Sequence, residues 1–219
     1  MATPQKTEAV NPGPDYVAYA AKMRSLVDSG CDLEVDARFV DMLSPRQAQI
    51  LDLGCGIGSA VGALRTRGHA AYGVDPTDDV LTVARELFHP AWFRQMRAEA
   101  VSAAALRTQG LPAAYDLVLM SGNVPAFLSD DDLPAIFNRV SSILNPGGCL
   151  IIGTSSKARG GPAQQDVAAG GSGLTLTHRF SDWHLSPFSE DSPWSVSVYS
   201  SAGQRRTADG PDGVFVLGA

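Results

Sequence analysis

Ile50-Leu51-Asp52-Leu53-Gly54-Cys55-Gly56-Ile57-Gly58-Ser59 decides the fold. A short apolar run leads into three glycines at alternate positions, and a helix-forming segment from Ser59 to Arg67 follows, closed by Gly68. Strand, glycine turn and helix in that order open a parallel α/β sheet, because glycine tolerates the dihedrals of the tight turn and lets backbone approach a ligand closely. Gly68 suits a left-handed helix terminus. Working outward, short apolar runs alternate with helical segments, the pattern of parallel strands joined by crossover helices. Strands are expected at 49–53, 70–74, 91–95, 115–120 and 148–153. Thr77 caps a helix carrying Val80, Val83, Ala84 and Leu87. A longer helix is expected from Asp130 to Leu144: Ser129 caps it, Asp130 to Asp132 suit its positive end, and Leu133, Ile136, Phe137, Val140, Ile143 and Leu144 form one stripe. Asn145-Pro146-Gly147-Gly148 stops it.

Beyond this core the period changes to two. Leu174, Leu176 and Phe180 alternate with Thr175, Thr177 and Arg179, and Trp194, Val196 and Val198 alternate with Ser195 and Ser197. Two strands with no helix between them are antiparallel neighbours, since a parallel pair needs a long crossover. The expected fold is a doubly wound, Rossmann-like α/β sheet of seven strands, mostly parallel with one antiparallel strand, with helices on both faces. One domain spans 15–200. Its first part, 15–44, is a helical cap: Tyr16, Tyr19, Ala20, Met23, Leu26 and Val27 recur at helical spacing up to Ser29-Gly30, and a second short helix carries Phe39, Val40 and Leu43. Such helices suit covering a ligand and packing on the sheet equally. Residues 1–14, with Pro4, Pro12, Gly13 and Pro14, read as a flexible arm, and 201–219 as a flexible tail.

With 219 residues, 44% hydrophobic and 18% charged, the chain has the length and composition of one globular domain. No run approaches the roughly 18 apolar residues of a membrane span and the first residues lack a secretory apolar core, so a cytoplasmic location is expected. Cys31, Cys55 and Cys149 are far apart and have no histidines at ligand spacing, which argues for reduced thiols and against a metal site. A formal net charge of -6, with no basic run longer than Arg205-Arg206, leaves no electrostatic footprint for nucleic acid. A small-molecule partner gains weight; a monomer or a homodimer fits equally.

The second strand ends in Tyr72-Gly73-Val74-Asp75, where a carboxylate can accept hydrogen bonds from both hydroxyls of a ribose. Glycine turn and acid together fit S-adenosylmethionine or a nicotinamide dinucleotide. The dinucleotide fingerprint needs a third glycine where this chain has Ser59. Asp52, just before the first glycine, repels a pyrophosphate and favours the ammonium group of a methionine moiety. Charge therefore points to the sulfonium cofactor, with an NAD(P)-dependent reductase as the alternative and a non-catalytic cofactor-binding module as a third reading.

These residues resemble a known family. LDLGCGIG looks like the first motif of class I S-adenosylmethionine-dependent methyltransferases, GVD like the acidic end of their second strand, YDLVLMSGN like the fourth strand, and LNPGGCLIIG like the turn and fifth strand. The resemblance extends over about 15–200 to small bacterial members of undefined acceptor. It implies that Gly54, Cys55, Gly56 and Gly58 line the methionine part with Asp52 near its ammonium, that Asp75 and the adjoining Pro76 hold the ribose end, and that backbone of Ser121 and Gly122 faces the methionine. Glu99-Ala100 stands where the family often has an Asp and a small residue near the adenine.

The donor carries the difficult chemistry, so the protein mainly aligns the partners and a catalytic side chain is optional. No base is assigned among His69, His89, His178 and His184. Asn123 is a candidate for orienting an acceptor, although Asn123-Val124-Pro125-Ala126-Phe127 lacks the Asn-Pro-Pro-aromatic run of amine and nucleic-acid methylases, which weighs against a nucleobase acceptor. Tyr16, Tyr19 and Arg24 are candidates for closing over the cofactor, and Trp183 with Trp194 for walling the acceptor pocket. The atom methylated is not legible.

Overall fold

The computed structural model describes residues 15–129 and 131–203. The arm at 1–14, Asp130 and the tail from 204 onward lie outside the described residues. Seven strands form one sheet: β1 Gln49–Leu53, β2 Ala70–Asp75, β3 Phe93–Gln95, β4 Tyr115–Met120, β5 Leu144–Ser155, β6 Thr175–Phe180 and β7 Trp194–Ser200. They lie in the order β3-β2-β1-β4-β5-β7-β6. Neighbours pair in parallel except at β7, which runs antiparallel to both β5 and β6. The order reverses between β1 and β4, and a crevice opens at the carboxyl ends of strands at such a point.

Strand alternation sends successive side chains to opposite faces. Leu51, Leu53, Val118, Met120, Leu150 and Ile152 pack with Leu106 of α5 (Ala103–Thr108), Ile136, Phe137 and Val140 of α6 (Asp132–Ile143), and Ala168 of α7 (Pro162–Gly170). Ile50, Ala71, Leu117, Leu119 and Ile151 pack on the other side with Phe39 and Val40 of α2 (Val35–Leu43), Val61 and Leu64 of α3 (Ser59–Thr66), and Ala84 of α4 (Asp78–Leu87). The first helix, α1 (Tyr16–Asp28), sets Ala20 against Ile57 and Val80, so it rides over the glycine turn and α4. Arg24 fastens it there, bonding Asp28 and Glu86, both at 3.1 Å.

Several expected bounds shift, each for a local reason. The third strand begins at Phe93, two residues late, because Pro90 lacks an N–H and starts a short 3-10 turn over Pro90–Trp92 that His89 caps through Nδ1. The fifth strand begins at Leu144 directly after α6, where a stop and then a strand from 148 were expected. Leu144 pairs with Tyr115 and Cys149 with Leu117, so Asn145 to Gly148 bulge within the strand. Asn145 Nδ2 donates to Asp116 Oδ1 at 2.9 Å, and a Cβ on Gly148 would lie 2.9 Å from the Asp116 carbonyl. The long helix starts at Asp132: Ser129 still caps it, accepting from Asp132 N at 3.2 Å while Asp132 Oδ2 accepts from Ser129 N at 3.3 Å. Order also continues into the segment read as tail, since Ser201 N donates to Gly148 O and Gly147 N to Ala202 O. Helices α5 and α7 were not anticipated, being short and built largely of small residues. Among the described residues no helix is long and apolar enough to cross a membrane.

The antiparallel end of the sheet is fastened by a polar clasp. Arg179 on β6 grips Asp166 on α7 with two bonds of 3.0 and 2.7 Å, and Tyr199 on β7 donates to the same carboxylate at 2.7 Å. Burial alone would raise Asp166, but the bonds from Arg179 and Tyr199 outweigh it and hold the carboxyl below its ordinary value. Asp166→Ala leaves the phenol without its acceptor and the guanidinium with only Ser197 Oγ and Tyr199 Oη, and because the carboxylate is 44% exposed the expected loss of unfolding free energy is about 0.5–1.5 kcal/mol in urea titrations. A change within error would show the clasp to be ornamental.

Candidate active site

The crevice is built on the turn after β1. Gly54 N–H and Cys55 N–H both donate to Val74 O, at 2.8 and 3.1 Å, which ties the turn to β2. Gly54, Gly56 and Gly58 take φ of 80, 51 and 78°, the left-handed region that suits glycine. Their surroundings differ. A Cβ on Gly54 would stand 2.4 Å from a Val124 methyl, and one on Gly58 2.5 Å from the Phe93 ring, so packing behind the turn demands both glycines. At Gly56 nothing lies within 4 Å, and the missing side chain leaves room on the cavity side.

Asp75, 8% exposed, closes the adjoining strand. Its Oδ2 accepts from Gly56 N at 3.0 Å and its Oδ1 from Thr77 N at 2.9 Å. A carboxylate offers about four acceptor sites, and the Thr77 side chain bonds to Asp75 as well, so about one site remains for a ribose hydroxyl. Burial raises the Asp75 pKa against the opposing pull of the Thr77 and Gly56 bonds.

A cavity of about 350 Å³ extends from this turn under the helical cap. Asp52, Gly54, Cys55, Gly56 and Ser59 form its floor, Ser121 and Gly122 come from the end of β4, Tyr19, Met23, Leu33, Val35 and Asp36 from the cap, and Trp183 and Trp194 from the far wall. Among the described residues no Lys, Arg or His lines it. Asp52 is 3% exposed and has no hydrogen-bond donor or counter-charge among the described residues. Burial pushes its pKa well up, and the charges of Asp36 and Asp75 push it further. Burial likewise raises Asp36, against hydrogen bonding from Ser121. Burial, then the Asp75 charge, raises the Tyr19 phenol. Among the described residues no three His, Cys, Asp or Glu side chains have the spacing to hold a metal ion. The arrangement suits an organic cation bearing a diol.

Of the residues singled out in the sequence, Asp52, Gly54, Cys55, Gly56, Tyr19, Ser121, Gly122 and Trp183 meet at the cavity, with Gly58 and Asp75 supporting its floor. Pro76 follows Asp75 at the surface, its carbonyl accepting from Gln95 Nε2 at 2.9 Å. Glu99 and Ala100 lie in a short turn after β3, outside the lining, where Glu99 pairs with Arg97 at 3.3 Å. Tyr16, in the first turn of α1, is also outside it. Asn123 directs its carbonyl oxygen to Thr154 Oγ1 at 3.0 Å and Ser155 N at 2.7 Å, so that atom locks β4 to β5 and is not free for an acceptor. His178 stacks on Phe180 on the β6 edge, His184 is exposed, and His69 is buried between Ala48 N and Asp41. None of the four histidines lines the cavity.

Asp36 was missed. It precedes Phe39 and Val40 by three and four residues, so it shares their face of α2. A carboxylate on an apolar stripe was the available signal.

Residues 50–148 match the family model described as a methyltransferase domain. The chain is similar to the TehB-like S-adenosylmethionine-dependent methyltransferase of Corynebacterium glutamicum, at 28% identity and a TM-score of 0.75 over 85% of this chain and 97% of that one. A methyltransferase of Clostridium acetobutylicum (13% identity, TM-score 0.68, 87% and 100% covered) shares the fold. So does the magnesium protoporphyrin IX methyltransferase of Synechocystis, solved with S-adenosylmethionine bound (17%, 0.56, 90% and 86%). No curated protein sequence is significantly similar. The fold and the acid-lined crevice are those of a Rossmann-like transferase, and residues 50–148 form a methyltransferase domain of the class I S-adenosylmethionine-dependent type. It is an enzyme with that cofactor.

The orphaned Asp52 carries a prediction. Its folded-state pKa is raised, so the destabilisation it causes is present at high pH and disappears as pH falls toward the unfolded-state value near ~4. Asp52→Asn should therefore raise the melting temperature of the ligand-free protein, by roughly 2–4 °C per kcal/mol relieved, with a gap that closes toward acid pH. It should also weaken adenosylhomocysteine at least roughly tenfold. Scanning calorimetry across pH checks the first part, and a variant less stable at pH 8 would refute it.

Proposed function

We propose that the enzyme transfers a methyl group from S-adenosylmethionine to a small-molecule acceptor that enters the same cavity beside Trp183 and Trp194, within one catalytic domain over 15–200. The observation that carries this reading is the orphaned, 3% exposed Asp52 opening into a cavity that no basic side chain lines among the described residues. The cofactor, when bound, supplies a methyl carbon activated by positive sulfur. On this reading Asp52 holds the ammonium, Asp75 takes a ribose hydroxyl, the 54–58 turn with Ser121 and Gly122 lines the methionine part, and Glu99-Ala100 edges the adenine. Asn123 acts as a positioning residue, fixing the end of β4 against β5. Alignment of the partners can lower the barrier by about 7–11 kcal/mol, which leaves the chain little further to supply. The α1 and α2 cap narrows the way in, which favours a small acceptor over a polymer.

The experiment is transfer of a labelled methyl group from the cofactor into a metabolite extract divided by molecular size. Label in the low-mass fraction is expected. Label confined to protein or nucleic acid would overturn the acceptor class, and tight cofactor binding without any labelled product would favour a binding-only module.

A further inference from the structure

We propose that the acceptor is an aliphatic amine, cationic in solution, and that Asp36 at the head of α2 receives it between Trp183 and Trp194. The inference rests on the cavity being the joint cofactor and acceptor site. Asp36 and Asp52 line it together with Asp32, which is paired to Arg38, Asp75 stands beneath its floor, and the charges of Asp36 and Asp75 both reach Asp52, while among the described residues no Lys, Arg or His lines the space. The cofactor brings an ammonium, a sulfonium and a carboxylate, a net charge of one. With the ammonium matched to Asp52 and the ribose to Asp75, Asp36 has no cation of its own within the cavity among the described residues. The obvious candidate, Arg38 on the same helix, is held by Asp32 in a two-pronged pair of 3.0 and 2.8 Å.

Asp36 has bonds from Ser121 and the Ala37 N–H and feels the charge of Arg38, yet burial still raises its pKa, and a neutral or anionic acceptor would add nothing to offset that burial. An ammonium offsets it. The walls suit the same guest, since indole faces attract a cation. Trp183 is held in place edge-on to Phe39 at 5.5 Å and against Gly153, where any Cβ would meet its ring at 2.3 Å. The chemistry also needs a proton acceptor, because an alkylammonium has no free electron pair. The ammonium gives one proton to Asp36; the freed nitrogen pair forms the new bond to the methyl carbon as the carbon–sulfur bond breaks, its electrons passing to sulfur. Nitrogen ends positive and sulfur neutral.

The test is calorimetric titration of protein saturated with adenosylhomocysteine, using phenethylamine, 2-phenylethanol and phenylacetate as probes that share a skeleton and differ in charge. The amine is expected to bind and the other two not. Asp36→Asn should weaken the amine at least about tenfold while shifting adenosylhomocysteine by no more than about threefold. Retained affinity for the latter also shows that the variant is folded. Equal binding of the alcohol or the carboxylate, binding of none of the three, or a parallel loss of amine and adenosylhomocysteine in the variant would overturn the proposal. Wild-type protein that fails to take up adenosylhomocysteine would instead refute the cavity as the cofactor site.

Discussion

Asp75→Ala is expected to weaken adenosylhomocysteine binding ten- to a hundredfold, about 1.5–3 kcal/mol for hydrogen bonds made to a charged group. The loss has two parts. The free acceptor site of Asp75 no longer meets the ribose, and the Gly56 N–H, which donates to Oδ2 at 3.0 Å, loses the acceptor that shapes the turn. Asp75→Asn separates them in part: an amide oxygen still accepts from Gly56, while the amide nitrogen takes the place of the acceptor of Thr77 N and meets the diol with one acceptor atom fewer. Titration calorimetry on both variants should place Asn between wild type and Ala. An unchanged dissociation constant in Asp75→Ala would remove this carboxylate from the site.

A second large effect is expected from the three glycines, and of opposite kinds. Gly58→Val pushes side-chain atoms into Phe93 and Ala84 and holds a branched residue at φ 78°. Overpacking and left-handed strain together should cost about 2–5 kcal/mol of stability. Gly56→Ala meets no protein atom within 4 Å, so its cost to the fold is the left-handed strain, about 1–2 kcal/mol. On the proposed reading its new methyl enters the space of the cofactor, and adenosylhomocysteine should weaken roughly ten- to a hundredfold. Paired melting and binding measurements check the contrast. A Gly56→Ala variant that binds normally would show that the cofactor does not pass over this turn.

The core elements were legible because burial and period agree in them. Leu51 and Leu53 face one helical layer and Ile50 the other, as strict alternation in a two-sided sheet requires. Likewise, the tight turn was legible from its glycines alone, since Gly54, Gly56 and Gly58 all take left-handed φ. What escaped was decided by contacts distant in sequence. Nothing local says that Leu144 pairs with Tyr115, or that Asn145 bonds Asp116 and so makes the apparent helix stop a bulge in β5. Helix α7, with Gln, Ala and Gly predominating, owes its place to neighbours: Ala168 and Ala169 pack into the core and Asp166 joins the Arg179 clasp. Asp36 escaped for the same reason, since its importance comes from Asp52 and Ser121 on other elements. Asn123 shows the converse: an amide beside the crevice suggests an acceptor contact, yet its oxygen is engaged by Thr154 and Ser155.

The most direct measurement is a crystal structure of the protein with adenosylhomocysteine. A ribose hydroxyl should lie on Asp75, the amino group within hydrogen-bonding reach of Asp52, and the thioether sulfur open toward Trp183. Ligand density in the separate cavity of about 330 Å³ bordered by Leu133, Arg159 and Val167, or an Asp75 side chain turned away from the sugar, would contradict the account.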